Sequence, residues 1–126
     1  MIVGIGTDIV RIARFETMLE RHGARVAERI LSADELVEFA DAARPARFLA
    51  KRFAVKEAVA KAFGTGFRDG LSLRHIGVRN DALGKPSLRF YARAEELCAQ
   101  LGVAESHVSI ADEHDYAVAF VVLLRR

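Results

Sequence analysis

Residues 44–66 constrain the fold more than any other stretch of this 126-residue chain. They open Arg44-Pro45, run through alanines and long unbranched side chains, and close Gly64-Thr65-Gly66. Proline suits a first helical turn, where its missing N–H would have no intrahelical partner, and glycine suits the left-handed residue that stops a helix. The interior favours the helical state, so a helix is expected over 45–63. At about 100° per residue, Phe48, Leu49, Phe53, Val59, Ala60 and Phe63 gather on one side, the expected core face. The opposite side carries Arg47, Lys51, Glu57 and Lys61 with only Ala50, Ala54 and Ala58 between them, small enough for a backbone or a ligand to come close. Arg52 and Lys56 fall on the bulky side, where their aliphatic stems are expected to snorkel past apolar neighbours.

Six basic residues over 44–61 face one acid, Glu57, a net of +5. A cationic helix ending in glycines is a place for phosphate groups. An ordinary reading stands beside it: Glu57 and Lys61 are an i,i+4 surface pair, worth about 0.2–0.5 kcal/mol. Residues 94–116 hold six acids and no Lys or Arg, although the whole chain is only +2. Basic ground for a polyanion and a separate acidic element are both implied.

A chain of this length with 52% apolar residues supports one core and one domain, 1–126. Cys98 is the only cysteine, which excludes an internal disulfide and fits a reducing compartment. Met1 to Asp8 shows no basic leader with an apolar stretch behind it, and no window reaches the roughly 20 apolar residues of a membrane span. A cytoplasmic protein without a membrane partner is expected. Nucleic acid is also not expected, because the chain has no Trp and its basic helix turns its phenylalanines inward.

Residues 2–10 are β-branched with glycines between, a strand approached closely by something. Its one charge is Asp8, which must be paired, hydrogen-bonded or cation-bound, or else caps the next helix. Helices are expected over 11–22 and 24–31, and from the capping box Ser32-Ala33-Asp34-Glu35 to about residue 43. Arg14, Arg21 and Arg25 in this region are either a solvated face or a docking surface for an acidic partner. Beyond Gly66 come short strands at 73–79 and 87–90 around the turn residues 80–86, a helix over 91–101, and a hairpin of 106–111 with 116–124. The last strand is apolar enough to require cover on both faces. The sum is an α+β fold, a small, mostly antiparallel sheet packed against a long central helix and shorter helices.

Asp8 and Glu57 stand out because each is isolated among apolar or basic neighbours. If strand and helix pack together, the two make a hard oxygen site of the kind magnesium prefers, completed by water and substrate phosphate. Lys61, one turn past Glu57, would reach the same phosphates. Cys98 and the histidines show no zinc spacing. His107 opens a strand and is either an acid or base at the site or a structural residue. A binding module that holds a nucleotide or an acidic protein without reacting remains the alternative to an enzyme.

The blocks Gly4-Ile5-Gly6-Thr7-Asp8-Ile9-Val10-Arg11-Ile12 and Phe53-Ala54-Val55-Lys56-Glu57-Ala58-Val59-Ala60-Lys61-Ala62-Phe63-Gly64-Thr65-Gly66 closely resemble the holo-acyl-carrier-protein synthases, the small bacterial group of 4'-phosphopantetheinyl transferases. Gly84-Lys85-Pro86 and His107-Val108-Ser109-Ile110 also fall where that family has them, so the likeness covers essentially the whole chain. It implies the 4'-phosphopantetheinyl transferase fold and transfer of 4'-phosphopantetheine from coenzyme A to a serine of apo acyl carrier protein, in support of fatty acid biosynthesis. Asp8 and Glu57 would hold magnesium, and Lys61 would neutralise the phosphoryl oxygens. Gly64, Thr65 and Gly66, with Lys85 and Pro86 of a neighbouring subunit, would line the coenzyme A cleft. Arg14, Arg21 and Arg25 would meet the acidic recognition helix of the carrier protein, and a homotrimer would place its active sites between subunits. Many members follow the His107 strand with Ser-His where this chain has Ala111-Asp112, which leaves His107 as the one histidine candidate. The proton acceptor for the serine stays open among Glu57, a water on the metal and a carboxylate of the partner.

Overall fold

In the computed structural model, which describes residues 1–126, the order is β1 (Ile2–Arg11), α1 (Ile12–His22), α2 (Arg25–Ile30), α3 (Ala33–Ala40), α4 (Pro45–Phe63), a 3-10 turn (Leu73–His75), β2 (Ile76–Asn80), β3 (Pro86–Phe90), α5 (Ala92–Leu101), β4 (Glu105–Asp112) and β5 (Tyr116–Leu124). Strands β1, β5 and β4 form one antiparallel sheet in that spatial order, while β2 and β3 form a separate antiparallel hairpin. The expected α+β architecture is present, with its sheet in two pieces. No helix is long and apolar enough to cross a membrane.

Helix α4 begins at Pro45 and ends at Gly64, whose φ of 83° is left-handed, as the sequence requires. Leu49, Val59, Ala60 and Phe63 of the expected core face are buried, but burial extends round to the opposite side as well. Ala50, Ala54 and Ala58 are fully buried, whereas Phe48 and Phe53 are only half-buried. The cause lies in β1: a Cβ on Gly6 would sit 1.9 Å from the carbonyl oxygen of Ala58, and one on Gly4 1.8 Å from that of Ala62. The strand backbone therefore rests directly on the helix, a contact that glycine against alanine allows and larger residues do not. Ala117, Ala119, Val121 and Leu123 of β5 complete this interface.

Arg52 and Lys56 do not snorkel. They are 3% and 0% exposed, and both reach Glu35, with Lys56 Nζ 2.6 Å from Oε1 and Arg52 Nε 3.3 Å from Oε2. Lys56 also donates to the carbonyl of Ile76. Glu35 closes the expected capping box with Ser32, and its second oxygen accepts from the Val78 N–H at 3.0 Å. A buried charge is tolerated when it is paired and its remaining lone pairs are filled, and one carboxylate here ties together α3, α4 and β2.

Two boundaries shift. Helix α3 stops at Ala40 rather than near residue 43. The strand expected from residue 73 starts at Ile76, because Ser72 caps a 3-10 turn in which His75 Nδ1 accepts from the Ser72 N–H at 3.1 Å. Strand β5 has one face on α4, but on the other Phe120 is 45% exposed, beside Ile5 and Ile9 of β1 at 57% and 61%. The second face that was expected to be covered is open in the single chain.

Candidate active site

Side chains on a strand alternate, so the face of β1 that presents Gly4 and Gly6 to α4 also presents Asp8. The strand runs against the helix from Ala62 toward Ala58, which carries Asp8 to the level of Glu57. Lys61 turns back along this line. Its Nζ donates to the carbonyl of Thr7 at 2.9 Å and to Asp8 Oδ1 at 3.0 Å. The i,i+4 surface pair is thus not what forms: Lys61 meets Asp8 across the gap, and Glu57 has no cation within 4 Å. An ammonium has three donors, and the Lys61 side chain, 53% exposed, has one left for a ligand.

Burial pushes the Glu57 carboxyl above its usual range, and the negative charge of Asp8 pushes it further, against the opposing pull of Lys61 and Arg14. Two carboxylates crowded in this way favour a proton or a cation between them. No group of three or more His, Cys, Asp or Glu is placed so that it could hold a metal ion, so no closed protein cage for a metal is built. Two hard oxygen donors at a solvent-facing position instead fit an ion such as magnesium, which keeps water and takes phosphate oxygens as its other ligands.

The rest of the basic excess is used internally. Arg47 Nη1 lies 2.8 Å from Asp112 Oδ2, and Arg47 also donates to the carbonyls of Glu113 and His114 at 2.8 and 3.2 Å. Lys51 is 3.7 Å from the same carboxylate. The hydrogen bond from Arg47 holds the Asp112 carboxyl below its ordinary value, with Lys51 assisting. Asp112, at the point where the chain departs from the Ser-His pattern, is a tether from the β4–β5 turn to the start of α4. With Arg52 and Lys56 on Glu35, only Arg44 of the six bases lacks a carboxylate within 4 Å. Of the bases expected to offer ground for phosphate, Lys61 at the end of the helix is the one beside Asp8.

Arg14, Arg21 and Arg25 are exposed, and none has a carboxylate within 4 Å. Arg14 is stacked over Phe53 at 5.0 Å and Phe15 at 5.5 Å, close enough to the site to act on Glu57. Between α1 and α2 lies a cleft of about 480 Å³ lined by Met18, His22, Arg25, Val26, Arg29 and Ile30. Met18 was not singled out in the sequence, although it sits at i+4 from Arg14 and i−3 from Arg21 and so shares their face.

Three predicted positions are not brought to this site within one chain. His107 alternates to the outer face of β4, with Nε2 2.8 Å from Glu105 Oε2, whereas Asp8 lies on the inner face of the same sheet. Lys85 closes the β2–β3 turn and Pro86 opens β3; Asp81 organises that turn by accepting from the N–H groups of Leu83 and Lys85 at 2.9 Å each. Gly64, Thr65 and Gly66 follow Lys61 directly, and Thr65 Oγ1 donates to the Gly66 carbonyl at 2.9 Å.

Residues 4–121 match the 4'-phosphopantetheinyl transferase superfamily. The chain is 55% identical over 124 residues to the holo-[acyl-carrier-protein] synthase of Halorhodospira halophila, covering 98% of each. Its structure is similar to that of the holo-[acyl-carrier-protein] synthase from Neisseria meningitidis, with a TM-score of 0.92 and 47% identity over 99% of this chain and 100% of that one. A second similar structure, from Bacillus anthracis in complex with coenzyme A (3',5'-ADP), has a TM-score of 0.84 and 39% identity over 100% and 99% of the two chains. The strand and helix that bring Asp8, Glu57 and Lys61 together lie inside the matched residues, and the chain belongs to the 4'-phosphopantetheinyl transferase superfamily, among the holo-[acyl-carrier-protein] synthases.

Proposed function

We propose that this protein transfers the 4'-phosphopantetheine of coenzyme A to a serine of apo acyl carrier protein, releasing adenosine 3',5'-bisphosphate and supporting fatty acid biosynthesis, with magnesium held by Asp8 and Glu57. The observation that carries this reading is the meeting of Asp8, Glu57 and Lys61 where β1 crosses α4. In the reaction the serine oxygen bonds to the β-phosphorus, the bond from that phosphorus to the bridging oxygen breaks so that this oxygen leaves with the bisphosphate, and the hydroxyl proton passes to a base, for which this chain offers the Glu57 carboxylate. Such transfers depend on placement and charge neutralisation more than on covalent help from the protein.

A magnesium ion bound there supplies orientation and charge neutralisation to the diphosphate. Lys61, anchored by Thr7 and Asp8, turns its remaining donor to the phosphoryl oxygens and stabilises the charge of the leaving bisphosphate. Gly64, Thr65 and Gly66 offer the coenzyme a backbone with little side-chain bulk. Arg14, Arg21 and Arg25 supply the charge, and the cleft beside Met18 the apolar floor, for an acidic amphipathic helix of the carrier protein.

The open sheet face with Ile5, Ile9 and Phe120 supports a homotrimer built on that face. His107 lies on the same face, and packing there would let His107, Lys85 and Pro86 of one copy serve the Asp8 site of a neighbour. The single Cys98 is in keeping with a cytoplasmic setting.

The experiment is incubation with apo acyl carrier protein, coenzyme A and magnesium, followed by mass spectrometry of the carrier. A phosphopantetheine increment that disappears with a chelator is expected. Coenzyme A binding without any mass change, indifferent to the chelator, would instead identify a binding module.

A further inference from the structure

Glu57 has no ion pair or side-chain hydrogen bond of its own, so its direction is set by how α4 is held. On one flank, Ala58 carries the carbonyl that Gly6 of β1 rests on. On the other, Lys56 is wholly buried, its ammonium on Glu35 Oε1 and on the Ile76 carbonyl. Consecutive helical residues project about 100° apart, so the residues before and after Glu57 are each locked to a different layer of the protein. Glu35 is itself over-determined. It accepts from Ser32 N–H and Val78 N–H at 3.0 Å each and lies 3.3 Å from Arg52.

A hydrophobic side chain at residue 56 would also fill that space, and a buried ion pair is poor value for stability alone. What the pair adds is direction. The two hydrogen bonds from Lys56, to α3 and to β2, hold α4 against rotation about its axis, and a rotation is the motion that would carry Glu57 away from Asp8. Active constellations need placement to within about 0.5 Å.

We infer that Lys56 and Glu35 are positioning residues for Glu57, and through it for the divalent-cation site, a role that rests on the function proposed above. The test is manganese(II) titration of the full-length protein, followed by the electron paramagnetic resonance signal of the free ion, alongside circular dichroism. Lys56→Met is expected to bind the ion at least tenfold more weakly at a temperature where it is fully folded. Lys56→Gln, which keeps a donor for Glu35, is expected to recover part of that loss. Glu38→Ala cuts only the outer arm of the same cluster, the 3.2 Å contact to Arg52, and is expected to bind within twofold of the parent. A folded Lys56→Met that binds within twofold of the parent would overturn the inference, leaving the pair a stability element. Should Lys56→Met not fold, Glu35→Gln takes its place with the same two outcomes. A parent protein that binds no manganese through Asp8 and Glu57 would overturn the proposed function itself, a failure distinct from that of the positioning role.

Discussion

Lys61 pairs with Asp8, 53 residues earlier in the chain and 3.0 Å away, and not with Glu57, one turn earlier on its own helix. The pairing leaves Glu57 without a neutralising partner and makes Lys61 a competitor for the carboxylate that a cation would use. Lys61→Met is therefore expected to bind divalent cations as tightly as the parent or more so, while turnover falls by about 10²-fold from loss of a charge aimed at the phosphoryl oxygens. Parallel loss of cation binding and turnover would show that Lys61 organises the carboxylates instead.

The raised Glu57 carboxyl has a consequence for stability. The folded protein holds that proton more tightly than the unfolded chain. Between the ordinary value of 4.5 and the raised one, the native state binds more protons, so stability falls as pH rises through this window and stays lower above it. Without metal, Glu57→Gln is expected to gain in Tm relative to the parent as pH rises from about 4 to about 8. Adding magnesium should raise the Tm of the parent alone. Thermal scans across pH, with and without the ion, check both signs, and a constant offset between the two proteins would refute the shift.

Asp112 titrates in the opposite sense. Its folded value is depressed by Arg47, so the tether stabilises above the ordinary value of 3.8 and is lost as pH falls through the folded value. Asp112→Asn is expected to lose about 0.2–1 kcal/mol near neutral pH and to show a flatter acid limb. Urea unfolding at several pH values measures it, and high salt should shrink the difference.

Gly6 is the buried one of the two glycines at the β1–α4 contact. Gly6→Ala places a methyl group 1.9 Å from a backbone oxygen of Ala58, which neither a side-chain rotamer nor a small shift relieves. A loss of about 3 kcal/mol or more is expected. Chemical denaturation showing less than about 1 kcal/mol would mean that strand and helix are not in direct contact.

Much of this arrangement was legible in the sequence because it is local. Pro45 and Gly64 mark the ends of α4, glycines in an apolar strand signal a close approach, and Asp8 and Glu57 are conspicuous as lone acids. Glu35 was legible only as a cap, since a capping box spans four residues, while its partner Lys56 lies 21 residues on. A helical projection gives the direction of Arg52 and Lys56 but not what waits there, so buried ion pairs read as snorkelling chains. The same limit applied to Asp112, which looked like a substitution in a family pattern and is a clamp on Arg47. His107 required the strand register, which sets it opposite Val122 on the outer face.

The joint action of Asp8 and Glu57 is tested most directly by the rate of phosphopantetheine transfer to apo acyl carrier protein, followed by mass spectrometry at saturating magnesium and coenzyme A. Asp8→Ala and Glu57→Gln are each expected to slow it by at least about a hundredfold. Near-parental rates in either variant would contradict the assignment.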